Sequence, residues 1–130
     1  MKRLIALCVS AAALMAFNMV DKKYECTTVG ISYNDGNQTR NIPVTPKTAP
    51  FLQKTLKDFY QITVIKKGKD VNVSVGKHSE ILSFAGKWRG YDQYMNREKS
   101  VIFMPDKNAT KNDAALIIPQ QRLVIYYNCK

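Results

Sequence analysis

The chain has 130 residues, which is enough for one domain and too few for a multidomain enzyme or an ordinary nucleotide-binding fold. Its hydrophobic content of 45% excludes a disordered chain, and 20 basic against 10 acidic residues give a formal charge of +10. No apolar run in the sequence reaches the roughly 18 residues that span a bilayer.

The first residues have the layout of a secretory signal peptide. Lys2 and Arg3 form a positive start, and an apolar stretch rich in Ala and Leu covers residues 4–16. We expect cleavage after Ala16, within a window that reaches to Val20, and export to the periplasm. An uncleaved amino-terminal anchor that ends at Val20 is the alternative.

The charge of the mature chain points to acidic partners. Cleavage after Ala16 removes Lys2 and Arg3 and leaves 18 of the 20 basic residues against 10 acidic ones, a net charge of +8. The positive electrostatic field of such a chain favours the binding of lipid headgroups, acidic polymers or acidic proteins. We expect an anionic envelope component or a protein partner, with peripheral membrane contact as an option and no nucleic acid. A solvated basic surface is the alternative, and the oligomeric state stays open.

Alternation of apolar and polar residues dominates the mature chain and predicts β-strands. The alternating segments are residues 24–28, 60–64, 71–75, 101–103 and 123–129. Turn signals lie at residues 34–37 and 68–70, with a weaker one at 96–98. One short helix is expected near Thr48, which could cap it, because Pro50 suits a first helical turn and Leu52 and Leu56 have helical spacing.

These elements predict an all-β fold of about seven or eight short strands in a single domain, residues 22–130. An antiparallel sheet of this size avoids bare edges by curling up. A small antiparallel barrel is the first choice and a sandwich is the second. No internal repeat divides the sequence.

Two cysteines remain after cleavage, Cys26 near the new start and Cys129 as the penultimate residue. In an exported protein this pair predicts one disulfide. The bond would close almost the whole chain, for which the chain-entropy model gives an upper figure of about 4.7 kcal/mol. It would also join the first strand to the last, where a barrel must close. Neither cysteine has a neighbour at metal-ligand spacing, so no metal is expected.

Three asparagines occupy glycosylation acceptors, each with an acidic residue two positions before it. They are Asn37, Asn72 and Asn108. The acidic residue makes all three similar to the extended acceptor of bacterial N-glycosylation. We expect the occupancy to fall from Asn108, in a polar stretch without periodicity, through Asn37 in a turn, to Asn72 in a regular strand.

Enzyme motifs are absent from the sequence. It contains neither a zinc-protease motif, nor a nucleophile elbow, nor a phosphate-binding loop. The single histidine, His78, is expected in a turn on the surface. We therefore expect no catalytic residue, no cofactor and no enzymatic activity.

The segment 86–94 combines the single Trp with two Tyr and two cations between glycines. Aromatic faces beside Lys and Arg suit stacking and cation–π contacts, and glycines allow an exposed loop. The candidate binding residues are Lys87, Trp88, Arg89, Tyr91, Tyr94 and, later in the chain, Lys111. The alternative is a strand whose aromatic side chains pack in the core or over the barrel mouth.

Several short stretches are similar to a known family. They are Tyr24-Glu25-Cys26, Ala85-Gly86-Lys87-Trp88, the stretch 110–116 and Tyr127-Asn128-Cys129. The chain resembles the periplasmic and membrane-bound inhibitors of C-type lysozyme, which are small exported barrels with a Cys near each end. Their Ser-Gly-x-x-Tyr loop is matched with Ala85 for Ser and Trp88 for Tyr, and residues 43–60 look inserted.

The sequence therefore predicts a non-enzymatic, N-glycosylated binding protein of the periplasmic envelope. The resemblance implies a first alternative, the inhibition of a lysozyme-like peptidoglycan hydrolase. A second alternative is the carriage of a small apolar ligand inside the barrel. The position of Trp88 discriminates between these functions, because a protein-binding anchor must be exposed whereas a carrier would have Trp88 in a cavity wall.

Overall fold

The computed structural model describes residues 21–99, 102–105 and 113–130. The predicted signal peptide, residues 1–16, lies outside these ranges. The strands are β1 (Asp21–Asn34), β2 (Thr39–Pro43), β3 (Gln61–Lys67), β4 (Asp70–Val75), β5 (His78–Trp88), β6 (Tyr91–Met95), β7 (Ile102–Pro105), β8 (Asp113–Ile118) and β9 (Leu123–Cys129). One α-helix, α1 (Ala49–Leu56), and two 3₁₀ segments, Lys57–Tyr60 and Pro119–Gln121, complete the described elements.

The sheet closes into an eight-stranded antiparallel barrel. Strands β3 to β9 pair with their neighbours in chain order, and β1 pairs with both β3 and β9. This confirms the predicted all-β barrel and excludes the sandwich. The remaining strand, β2, lies beside the second half of β1, because β3 covers only residues 21–27 of that strand.

The barrel forms because the period-two pattern places apolar side chains on one face of each strand. In β4, Val71 and Val73 are buried, whereas Asn72 and Ser74, each of which follows one of them, are half-buried. The larger buried side chains of the core are Ile31, Ile62, Val64, Leu82, Tyr94, Phe103, Leu116, Ile125 and Tyr127. All of them follow the alternation of their own strands, apart from the local shifts caused by two bulges.

Two β-bulges interrupt the ladders of the strands that the structure describes. One lies in β1 between Thr28 and Gly30, and the other lies in β5 between Phe84 and Lys87. A bulge adds one residue to a strand and redirects the residues that follow. In β1 the extra residue is Val29, whose side chain is exposed while Thr28 and Ile31 on either side remain buried.

The predicted disulfide joins Cys26 and Cys129, which are separated by 103 positions in the sequence. Cys26 in β1 and Cys129 in β9 are cross-strand partners, and both are buried. The pairing of β1 with the end of the chain continues one residue beyond the disulfide. The N–H of Glu25 donates to the carbonyl of Lys130, and the N–H of Lys130 donates to the carbonyl of Glu25, both at 2.9 Å. The disulfide therefore fixes the seam where the barrel closes.

The predicted helix is present, although its cap differs from the prediction. Thr48 occupies the N-cap position and Pro50 lies in the first turn, but no side-chain capping bond forms. The Thr48 hydroxyl instead donates to the carbonyl of Pro43 at 2.6 Å and accepts from the N–H of Thr45 at 2.8 Å. These hydrogen bonds stabilise the loop between β2 and α1, so the Thr48 hydroxyl does not cap the N-terminus of the helix.

Buried leucines of α1 and hydrogen bonds to the following 3₁₀ segment hold these two elements against the inner wall of the barrel. Leu52 and Leu56 are buried. Two neighbouring side chains of β9 and β1 bind consecutive carbonyls of the 3₁₀ segment: the Tyr127 hydroxyl donates to Phe59 at 2.6 Å, and the Thr28 hydroxyl donates to Tyr60 at 2.8 Å. Burial raises the pKa of the Tyr127 hydroxyl far above its usual range.

The barrel thus has two distinct ends. The disulfide end contains the Cys26–Cys129 bond, the β3–β4 turn at Gly68 and Lys69, and the β5–β6 turn at Arg89 and Gly90. The helix end contains α1, its 3₁₀ continuation and the β4–β5 turn at Gly76 and Lys77.

Candidate functional site

The predicted binding segment forms the hairpin between β5 and β6. Trp88 and Tyr91 are its last cross-strand pair. The two residues between them, Arg89 and Gly90, have positive φ angles of 51° and 85°. Two such residues in a two-residue connection form a type I′ turn, whose twist matches that of the flanking strands. We call residues 87–91 the hairpin tip.

The hairpin tip exposes a large aromatic surface. The Trp88 side chain is 49% exposed, and the guanidinium carbon of Arg89 lies 4.7 Å from the centre of its ring. This is cation–π geometry, and it holds a positive charge over the indole face. Lys87 Nζ lies 3.7 Å from Asp92 Oδ1, and both side chains are substantially exposed. An exposed ion pair of this kind contributes little to stability.

Tyr94 does not belong to this exposed surface, contrary to the prediction. It is 4% exposed and packs edge-on against Phe84, with ring centres 5.8 Å apart. Burial and, second, the charge of Asp92 raise the pKa of its hydroxyl. The prediction failed because the glycines suggested a loop across residues 86–94, whereas β6 already begins at Tyr91 and its alternation turns Tyr94 inward. Lys111, the remaining predicted member, lies outside the described residues.

Charge alone does not select the hairpin tip as a docking surface. Exposed basic residues at the disulfide end include Lys22, Lys66 and Lys69, and at the helix end they include Lys54 and Lys77. Both ends of the barrel therefore attract anions. What distinguishes the hairpin tip is the combination of cations with an exposed indole.

A second candidate site lies inside the barrel, at the helix end. It is a cavity of about 590 Å³ between the helical segment and the strands opposite. Most of its lining is apolar, contributed by Leu56, Phe59, Val73, Val75, Leu82, Leu116, Ile118, Leu123 and Ile125. Volumes of this size are typical of small-molecule sites, and barrel mouths are a common place for them. Trp88 is not among the residues that line it.

Two carboxylates, those of Asp58 and Glu80, line this cavity, and both side chains are exposed to solvent. Glu80 is the cross-strand partner of the buried Val73 and is two residues from the buried Leu82, so its side chain starts from the inner face of β5. Its Oε1 accepts a hydrogen bond of 2.8 Å from Nδ2 of Asn96, which is itself only 7% exposed. The sequence contains a signal for Glu80. The two-residue period of a strand puts Glu80 on the same face as Leu82, and a charged residue at such a position is unusual in a core.

The rim of the cavity is polar. It includes Lys57, Asp58 and His78. His78 is exposed as predicted, but it begins β5 instead of lying in the turn, which consists of Gly76 and Lys77. A Cβ atom at Gly76 would lie 2.5 Å from Oδ2 of Asp58, so a larger residue there would require the Asp58 side chain to move. The 3₁₀ segment and the β4–β5 turn therefore meet closely at the rim.

The predicted glycosylation residues have different surroundings. Asn37 is exposed in the β1–β2 loop, where Oδ1 of Asp35 accepts from the N–H groups of Asn37 and Gln38, each at 3.1 Å. Asn72 lies within the β4 ladder, and among the described residues no hydrogen-bond partner reaches its buried Oδ1. Asn108 lies outside the described residues.

The stretches that carry the lysozyme-inhibitor resemblance lie mostly at one end of the barrel. Residues 85–88 end β5, and residues 113–116 begin β8. Both strands reach the disulfide end at these positions. The first half of the second stretch, residues 110–112, is outside the described ranges.

In residues 21–99, 102–105 and 113–130, no cluster of three or more His, Cys, Asp or Glu side chains is arranged to hold a metal ion. Within the same ranges no helix has the length and hydropathy needed to cross a bilayer. Comparisons with protein-family models, with curated proteins and with solved structures found no match for this chain.

Proposed function

We propose that the protein is an exported, N-glycosylated and non-enzymatic binding protein of the periplasmic envelope, which contacts an anionic partner through the hairpin tip. The observation that carries this proposal is the half-exposed indole of Trp88, stacked beneath Arg89 at the end of a hairpin. Burial of this indole against a partner would remove apolar surface from water, and aromatic and Arg side chains are the usual anchors of interfaces.

The two cations give the hairpin tip its selectivity. Lys87 and Arg89 are both exposed, and Arg89 is already desolvated on one side by the indole. Positive charges beside an aromatic anchor steer acidic partners and raise their association rate, an effect that salt screens. The partner class that fits is therefore an acidic protein or an anionic lipid headgroup layer, and experiments separate the two.

The single Trp makes its fluorescence a direct reporter. We expect vesicles that contain phosphatidylglycerol to shift the Trp88 emission to shorter wavelengths if the partner is a lipid surface, whereas phosphatidylcholine vesicles leave it unchanged. Co-sedimentation should show that Trp88→Ala loses affinity by about 2 kcal/mol, roughly thirtyfold. The matched control is Phe51→Ala, because Phe51 is 57% exposed on α1 at the other end of the barrel.

A protein partner would be detected by retention from native envelope extracts. The proposal expects a protein that is retained by the wild type and by Phe51→Ala but released by Trp88→Ala. Equal retention by all three chains, or no binding in either the vesicle or the extract assay, would contradict it.

Glycosylation is tested separately, by glycopeptide mapping of protein from a strain with the modifying enzyme. Exposed Asn37 should be modified more than Asn72, because modification of Asn72 would require β4 to leave its ladder. Asn108 remains predicted as the first site. Full occupancy of Asn72 with none at Asn108 would overturn this order.

Inhibition of a lysozyme-like hydrolase remains an alternative prediction. It rests on the resemblance, and the family's loop hydroxyl is missing here because Ala85 replaces it. A mature charge of +8 would also repel a basic lysozyme. Addition of the purified protein to a lysis assay with a C-type lysozyme tests this alternative directly.

A further inference from the structure

We propose that the cavity at the helix end binds a small amphiphile with an apolar body and a protonated amine as its head group, with the amine placed at Glu80. This site is independent of the docking function above, because none of the cavity's lining residues belongs to the hairpin tip.

The deep part of the cavity is suited to a hydrocarbon body. Leu82, Leu116 and Ile125 line it and are 0% exposed. They belong to β5, β8 and β9, so strands from different parts of the barrel supply one continuous apolar surface. An apolar group that enters this space exchanges contact with water for contact with aliphatic side chains, which is the usual source of affinity in such pockets.

Polarity increases along one strand from the deep part to the rim. The inner face of β5 presents Leu82, then Glu80, then His78. An amphiphile that follows this gradient puts its body against Leu82 and its head beside Glu80. The cavity thus offers one orientation to a ligand that has one apolar and one polar end.

The carboxylate of Glu80 selects the chemistry of the head. An ionised carboxylate only accepts hydrogen bonds, and the bond from Asn96 uses one of its several acceptor positions. Asn96 is buried, so it also restricts where the carboxylate can move. A protonated amine donates hydrogen bonds and carries the opposite charge, and such charge-assisted bonds are the stronger ones.

The remaining charged residues of the lining do not reverse this preference. Asp58 adds a second negative group, and among the described residues that line this cavity Lys57 is the only Lys or Arg. Both lie on the 3₁₀ segment, whereas Glu80 lies on β5, where its side chain starts from the inner face and is exposed to solvent. The site therefore favours a cation even though the whole protein is basic.

Calorimetric titration of the exported protein with dodecylammonium and with dodecanoate, both below the concentrations at which they form micelles, tests the proposal. The two probes share a hydrocarbon tail and differ in the charge of the head. We expect dodecylammonium to bind at least tenfold more tightly than dodecanoate. Equal affinities would overturn the assignment of the head group to Glu80, and an absence of binding by both would overturn the site.

Two variants with one matched control locate the binding. Glu80→Gln keeps an acceptor for Asn96 but removes the charge, so it should weaken dodecylammonium binding at least tenfold and bring the two affinities together. Val75→Trp should abolish binding by filling the cavity, whereas Ile81→Trp should not, because Ile81 is 65% exposed on the outer face of β5. If Val75→Trp unfolds, Val75→Phe provides the smaller obstruction. Unchanged binding in Glu80→Gln, or in a folded Val75 variant, would contradict the proposal.

Discussion

The two ends of the barrel are filled in different ways. Away from the cavity the interior contains the aromatic rings of Tyr94 and Phe103 together with the buried Cys26–Cys129 bond, and none of these residues lines the cavity. At the helix end the strands present smaller aliphatic side chains, such as Val73 and Val75, and the remaining space is divided between α1 and the cavity. Side-chain volume on the inner face therefore decides where an eight-stranded barrel is solid and where it is hollow.

This difference also separates the two candidate functions. The hairpin tip lies at the disulfide end, and its exposed surface lies outside the barrel. The hollow helix end places its contact surface inside. A protein with this division can bind one partner with the hairpin tip and another ligand in the cavity without competition between them.

The largest expected effect concerns the disulfide. Replacement of both Cys26 and Cys129 by Ser should lower the free energy of unfolding by up to about 4.7 kcal/mol, because the unfolded chain is no longer closed over nearly its whole length. Denaturant titration measures the loss. Intact mass after alkylation without reductant should show no free thiol in the wild-type mature chain, and alkylation of either cysteine would contradict the bond.

The packing difference predicts unequal costs for core truncation. Phe103→Ala should cost about 3–5 kcal/mol, since the ring is only 4% exposed and does not border the cavity. Val75→Ala should cost about 1 kcal/mol, because Val75 already borders empty space. Urea unfolding of both variants provides the comparison, and similar losses at the two positions would mean that the two ends are packed alike.

Backbone strain distinguishes the cavity rim. Lys57 has φ 53° and ψ −120°, a conformation that favours glycine. Lys57→Gly should therefore raise stability by about 1 kcal/mol. The control is Lys54→Gly, one helical turn earlier, which should lower stability by about 1 kcal/mol because glycine is unfavourable inside a helix. Loss of stability in both variants would show that residue 57 is unstrained.

The smallest expected effect is electrostatic and lies in the β1–β2 loop. The Arg40 side chain, which donates to Asp35 Oδ2 at 2.7 Å, and the N–H groups of Gln38 and Asn37 hold the pKa of Asp35 below its ordinary value of 3.8. The lowered pKa stabilises the fold at pH values above 3.8, and this contribution disappears as the pH falls through the lower folded-state pKa. In an NMR titration Arg40→Gln should move the pKa of Asp35 upward, whereas an unchanged pKa would exclude Arg40 as its cause.

Much of the fold could be predicted from the sequence because local patterns determine it. The alternation of Val71 and Val73 with polar residues specified a strand whose inner face is buried, and the terminal cysteines indicated the closing seam. Strand β2 was not predicted, because residues 39–43 are almost entirely exposed and show no alternation. It forms because the second half of β1 still needs a hydrogen-bonding partner.

The candidate sites were only partly predictable. The composition of residues 86–94 predicted an exposed aromatic and basic segment, and the structure exposes Trp88 and Arg89 at the end of a hairpin. The cavity depends on the summed volumes of side chains from β4, β5, β8 and β9 and on the position of the helical segment. No local pattern contains that information. The assignment of Tyr94 to a loop failed for a related reason, since only the register of β5 with β6 shows that it faces inward.

The most direct test of the account compares two aromatic residues of the same hairpin. Trp88 lies outside the barrel and Tyr94 lies inside. Thermal and denaturant unfolding should show that Trp88→Ala costs about 1 kcal/mol or less, as expected for a half-exposed side chain, whereas Tyr94→Ala costs about 3–5 kcal/mol. A loss in Trp88→Ala as large as that in Tyr94→Ala would make Trp88 part of the core and would contradict its role as a surface anchor.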